Sequence, residues 1–66
     1  MEKYEIARRL KTKREEMNIS VEKVAEIIGC SPQTVWAYER GSRAPKKDRM
    51  RALAELYKTP IDELFF

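Results

Sequence analysis

Apolar residues recur along this chain at helical spacing, and nowhere do they alternate with period two. Ile6, Leu10 and Arg14 stand four residues apart with Ala7 beside them, which predicts a first helix over about Tyr4 to Met17. Asn18 suits a left-handed turn after it. Ser20 is placed to cap a second helix, and Ile19 and Val24 have the spacing of a hydrophobic staple across that cap. Val24, Ala25, Ile27 and Ile28 form its expected buried face, and Gly29 stops it. Ser31 caps a third helix, whose first position, needing no amide hydrogen, is taken by Pro32. Cys30 and Val35 repeat the staple spacing, which reads Cys30 as a small buried apolar residue. Gly41 ends this helix and a loop, SRAP, follows. A fourth helix is expected from about Lys46 to Tyr57, with Met50, Leu53, Ala54 and Tyr57 inward and Lys46 a poor cap. Thr59 is the expected cap of a fifth helix, with Pro60 first, Asp62 in its opening turn and Ile61, Leu64 and Phe65 apolar.

The expected fold class is therefore all-α, five short helices in one domain over residues 1–66, near the lower size limit for folding alone. Charged residues make up 38% of the chain, a fraction compatible with disorder, but 42% are apolar and regularly spaced, which favours a folded domain. One cysteine and no histidine argue against a disulfide framework and against a metal site, and no cofactor is expected. No apolar run has the length of a membrane span, and the N-terminal residues are too charged for a signal peptide, so a cytoplasmic protein is expected.

Charge is distributed in blocks. Six basic residues between Lys3 and Arg14 face one acid, Glu5, and six more between Arg40 and Arg51 face only Asp48. Between Glu15 and Ile28 four glutamates face Lys23 alone, and the last fifteen residues are net negative. Such blocks give either a surface with a positive side suited to nucleic acid or simply solvated helix faces.

The short connection containing Gly29 between the second and third helices has the form of a helix-turn-helix, a pair also common in ordinary helical bundles. On a helical wheel Gln33, Trp36, Ala37 and Arg40 share one arc, while Val35, Tyr38 and Glu39 point the opposite way. Gln33 can pair with adenine in the major groove, Ala37 allows close approach, and Arg40 can reach phosphate. Trp36 either faces DNA from this arc or lies against a neighbouring helix or a dimer partner.

The run NISVEKVAEIIGCSPQTVWAYERGSRAP resembles the helix-turn-helix of the Cro/CI-type, or XRE, family of phage and bacterial transcription regulators. Ser20, Ala25, Gly29, Ser31, Glu39, Arg40, Gly41 and Pro45 stand where that family's pattern has them, and TPIDELF resembles its last helix. The resemblance runs from Ile6 to Phe65 and implies a lambda-repressor-like fold with the third helix, about residues 31–40, in the major groove. It implies base contacts from Pro32, Gln33, Trp36 and Ala37, and phosphate contacts from Ser31, Thr34, Arg40, Arg43 and Lys46. It also implies a structural ion pair between Arg14 and Glu39, which accounts for two charged residues at inward positions, where a lone charge would be costly. Three positions depart from the family pattern. Val21 replaces a frequent glutamine, Pro32 a commonly polar base-contacting residue, and Lys47 a frequent leucine, so the start of the fourth helix is expected to be more exposed than usual.

The function expected is sequence-specific double-stranded DNA binding by a transcription regulator, a repressor of the phage, mobile-element or controller type, bacterial or phage-encoded and nucleoid-associated. RNA polymerase is a further possible contact. Within these 66 residues no sensing or catalytic domain is expected, and no catalytic residues are assigned. An antitoxin or adaptor with a protein as main partner is the alternative, disfavoured by Gln33 and Arg40 on the outer arc. A homodimer on an inverted-repeat operator is expected through Ile61, Leu64, Phe65 and Phe66, four apolar residues within six, more than so small a core needs.

Overall fold

A computed structural model describes residues 3–66, and its elements are all helical, with no strand among the described residues. The helices are α1 (Lys3–Glu16), α2 (Val21–Ile28), α3 (Pro32–Arg40), α4 (Lys47–Leu56) and α5 (Ile61–Phe65).

Local chemistry sets most boundaries. The Ser20 side chain accepts a hydrogen bond from the Lys23 amide at 3.0 Å, and Ser31 does the same for Thr34 at 3.3 Å, so the opening turns of α2 and α3 each have a capped donor. Both helices end on a left-handed glycine, Gly29 at φ 79° and Gly41 at φ 83°. In each case the glycine amide and the next one return to a single carbonyl, Ala25 for the first and Ala37 for the second. Asn18 makes the left-handed turn after α1 at φ 59°. Lys46 precedes α4 without a side-chain cap. The expected cap of α5 is corrected: Pro60 occupies that position and the helix starts at Ile61. The Thr59 hydroxyl instead donates to the Tyr57 carbonyl at 2.9 Å, securing the turn in which Lys58 takes φ 50°.

The core is built by Leu10 of α1, Val21, Val24, Ala25 and Ile28 of α2, Val35 and Tyr38 of α3, Leu53 and Tyr57 around α4, and Leu64 and Phe65 of α5. Ala7 is also buried. The expected inner face of α2 is rotated: Ile27 is 49% exposed, whereas Val21 is 3% exposed. Positions 21, 24, 25 and 28 form one stripe on a helix, and residue 27 lies about 100° away from its centre. Cys30 is half-buried at the edge of the core rather than fully enclosed. Lys47 is exposed at the start of α4.

Packing places α3 against α1 and α2, while α5 closes the far side against α1 and α4. Arg9 of α1 donates to the carbonyls of Glu63 at 3.0 Å and Phe66 at 3.4 Å, so α1 caps the end of α5 as well.

Candidate nucleic-acid interface

The third helix has two distinct faces. Val35 and Tyr38 are 2% and 4% exposed and enter the core. Gln33, Trp36 and Arg40 are exposed on the other side, with Pro32, Thr34 and Ala37 half-buried along its margins. Trp36 is 45% exposed and takes no part in the core cluster. A large aromatic side chain therefore projects from a helix whose apolar anchors point elsewhere.

The helix is held from behind by the Arg14–Glu39 pair. The Arg14 Nε–H donates to Glu39 Oε2 at 2.8 Å, with side-chain exposures of 14% and 3%. Arg14 also donates through Nη1 to the Ile19 carbonyl at 3.0 Å, so one guanidinium joins α1, the turn before α2, and α3. The bond to Glu39 raises the Arg14 pKa further, against the opposing effect of burial. Glu39 Oε1 is buried and accepts no hydrogen bond from the described residues, which leaves the carboxylate dependent on Arg14 for its compensation. Tyr57 lies close enough to feel both charges. Burial first, and the Glu39 carboxylate second, push its hydroxyl up to about 12, with Arg14 pulling the other way.

A second tie fixes the opposite flank. Arg49 of α4 donates to the Tyr38 hydroxyl at 3.1 Å and approaches the Gly29 carbonyl at 3.5 Å. The bond to Tyr38 raises the Arg49 pKa. Sequence patterning did not single out Arg49. The available signal was its place one turn before Leu53, on the inner edge of α4. Arg49, Tyr38, Arg43, Ala44, Lys46 and Asp48 line an open pocket of about 320 Å³ beside the end of α3.

The cations expected at phosphates lie around this face. Arg40, Arg43 and Lys46 are exposed, and none belongs to an ion pair among the described residues. Ser31 is exposed, but its hydroxyl is already shared between the Thr34 amide and the Thr34 hydroxyl, at 3.3 and 3.1 Å. The expected base and phosphate residues therefore gather on and beside one helix. The four residues expected at a dimer interface do not share one surface. Leu64 and Phe65 are 1% and 2% exposed because they complete the subunit's own core. Ile61 is half-buried and packs on that core, and Phe66 is 67% exposed.

A helix buried on one side, presented by a capped turn and flanked by exposed cations, defines a helix-turn-helix nucleic-acid-binding protein. A helix-turn-helix family model matches residues 10–64, and the chain belongs to that family, the Cro/CI-type or XRE helix-turn-helix transcription regulators. Two relatives make the likeness more specific. The cryptic phage CTXphi transcriptional repressor RstR of Vibrio cholerae is 41% identical over 51 residues, 77% of this chain and 46% of that protein. The HTH-type transcriptional regulator AnsR of Bacillus subtilis (strain 168) is 36% identical over 56 residues, 85% of this chain and 48% of that protein. The chain spans about half the length of the curated relatives it matches. No helix among the described residues is long and apolar enough to cross a membrane.

Two outcomes follow from the geometry behind α3. Arg14→Ala should cost about 3–5 kcal/mol, because it strands the buried Glu39 carboxylate, and Glu39→Ala less, because Arg14 keeps the Ile19 carbonyl and some contact with water, while the double variant recovers part of the loss. Urea unfolding of the four proteins measures this, and small additive losses would contradict it. The raised Tyr57 pKa means that the folded state retains this proton where the unfolded chain, with a pKa near 10, releases it. The contribution is complete below pH 10 and is lost as pH rises through about 12. Tyr57→Phe should lack this alkaline decline when urea unfolding is repeated at pH values from about 10 to 12.

Proposed function

We propose that this chain is a sequence-specific double-stranded DNA-binding transcription regulator of the repressor kind, without enzymatic activity, working in the cytoplasm where its DNA target lies. The observation that carries this reading is the division of α3. One face is anchored by Val35, Tyr38 and the Glu39 ion pair, and the other offers Gln33, Trp36 and Arg40 to solvent. In this reading Pro32, Gln33, Trp36 and Ala37 meet base edges. Arg40, Arg43 and Lys46 meet phosphates, with Ser31 and Thr34 at the helix start. The two relatives, one named a repressor and the other a regulator, support the same assignment.

Base contacts specify a site and phosphate contacts position the protein on it. Gln33→Ala should therefore cost about 1–3 kcal/mol on a selected cognate site and much less on random DNA. Arg43→Ala should weaken binding to both equally and reduce the slope of log affinity against log salt by about one unit. Titrations of each variant at several salt concentrations check both. Equal losses on cognate and random DNA for Gln33→Ala would remove it from base reading.

The reading includes a homodimer on an inverted repeat. The largest principal extent of the subunit is 26 Å, whereas successive major-groove faces are about 34 Å apart, so two recognition helices at that spacing need two subunits. Phe66 is the exposed apolar residue of the C-terminal segment and the anchor assigned here, with Ile61 at its margin. Phe66→Asp should raise the monomer fraction in sedimentation and abolish cooperative filling of the two half-sites. Unchanged cooperativity in that variant would exclude Phe66 from the contact. Contact with RNA polymerase by the DNA-bound protein completes the proposal.

A further inference from the structure

The base-facing set is uncharged. Pro32, Gln33, Trp36 and Ala37 carry no ionisable side chain, and the cations Arg40, Arg43 and Lys46 stand at the end of α3 and in the loop beyond it. The commonest specific contact to guanine is an Arg or Lys bridging O6 and N7, and this set has neither. Gln33 matches adenine. The remaining three positions offer carbon surface, with one indole N–H as their single side-chain donor. Trp36 holds most of that surface. It is 45% exposed, outside the core, and shares a strip with Pro32 one turn earlier.

The major groove presents one carbon group to such a surface, the methyl on C5 of thymine. Resting on the DNA-binding reading above, we infer that α3 reads pyrimidine C5-methyl groups, that Trp36 is the residue that reads them, and that 5-methylcytosine is accepted where thymine is. A cytosine methylated at C5 carries its methyl at the same ring position as thymine, so the face that seeks one also meets the other. Occupancy of a site then responds to cytosine methylation at the contacted position. The indole N–H adds a preference of its own, since thymine presents an acceptor at position 4 and cytosine a donor. Comparing thymine with uracil, and methylated with unmodified cytosine, keeps that group constant within each pair and isolates the methyl.

The experiment uses the whole chain and a duplex selected from random DNA. Each thymine of the selected site is replaced in turn by deoxyuridine, and cytosine or 5-methylcytosine is placed at the same positions. Loss of a contacted methyl should weaken binding about fourfold, the effect of exposing one buried carbon group. Methylating cytosine at that position should restore about the same factor. In Trp36→Ala, whose changed side chain lies outside the core, both ratios should fall close to one. Equal binding of thymine and uracil, and of both cytosines, at every position of a tightly bound site would overturn the inference. Ratios unchanged in Trp36→Ala would take the role away from that residue. A parent protein that shows no preference for selected over random DNA would instead overturn the DNA-binding reading beneath it.

Discussion

The arrangement of α3 depends on the bond between Arg14 and Glu39. A helix of nine residues has little stability of its own, and α3 sends only Val35 and Tyr38 fully into the core. Two apolar anchors one turn apart hold a helix against its neighbours but leave it free to roll. The 2.8 Å contact to Glu39, made by a guanidinium that also holds the Ile19 carbonyl, removes that freedom. A buried ion pair need not add stability over an apolar pair of the same shape. Its effect here is geometric, since it fixes which side chains of α3 face outward. Arg49 does the corresponding work from α4 through the Tyr38 hydroxyl.

Features decided within a few residues were legible in the sequence. Ser20 and Ser31 cap their helices because the amides they serve lie three residues away, and Gly29 and Gly41 end them because few other residues adopt that backbone conformation readily. The outward position of Trp36 was legible too, since Val35 and Tyr38 set the phase of α3. Features decided by distant packing were less so. Val21 and Ile27 exchange places because α2 has eight residues, and its phase is settled by the helices around it. Thr59 looked like a cap but had a competing acceptor in the Tyr57 carbonyl. Counting apolar residues in α5 could not reveal that the core itself requires Leu64 and Phe65. Arg49 meets residues eleven and twenty positions away, which no local pattern encodes.

The same geometry separates charge from recognition. Positive side chains sit at the end of α3 and in the loop beyond it, where they serve any stretch of phosphate backbone, and the middle of the helix is uncharged. In the proposed complex, affinity for DNA in general and preference for one sequence therefore arise from different residues. The salt-dependent part belongs to Arg40, Arg43 and Lys46, and the remainder to Gln33 and the carbon surface around Trp36.

The central claim is that the outward face of α3 is the surface that meets DNA. It is tested most directly by recording amide and indole N–H signals of isotopically labelled protein during titration with a selected duplex. The Trp36 indole, the Gln33 side-chain amide and the backbone of residues 31–43 should shift most, with the outer face of α2 at Glu22 and Glu26 little affected. Shifts centred on that face of α2 or on α5, with the Trp36 indole unmoved, would contradict the account.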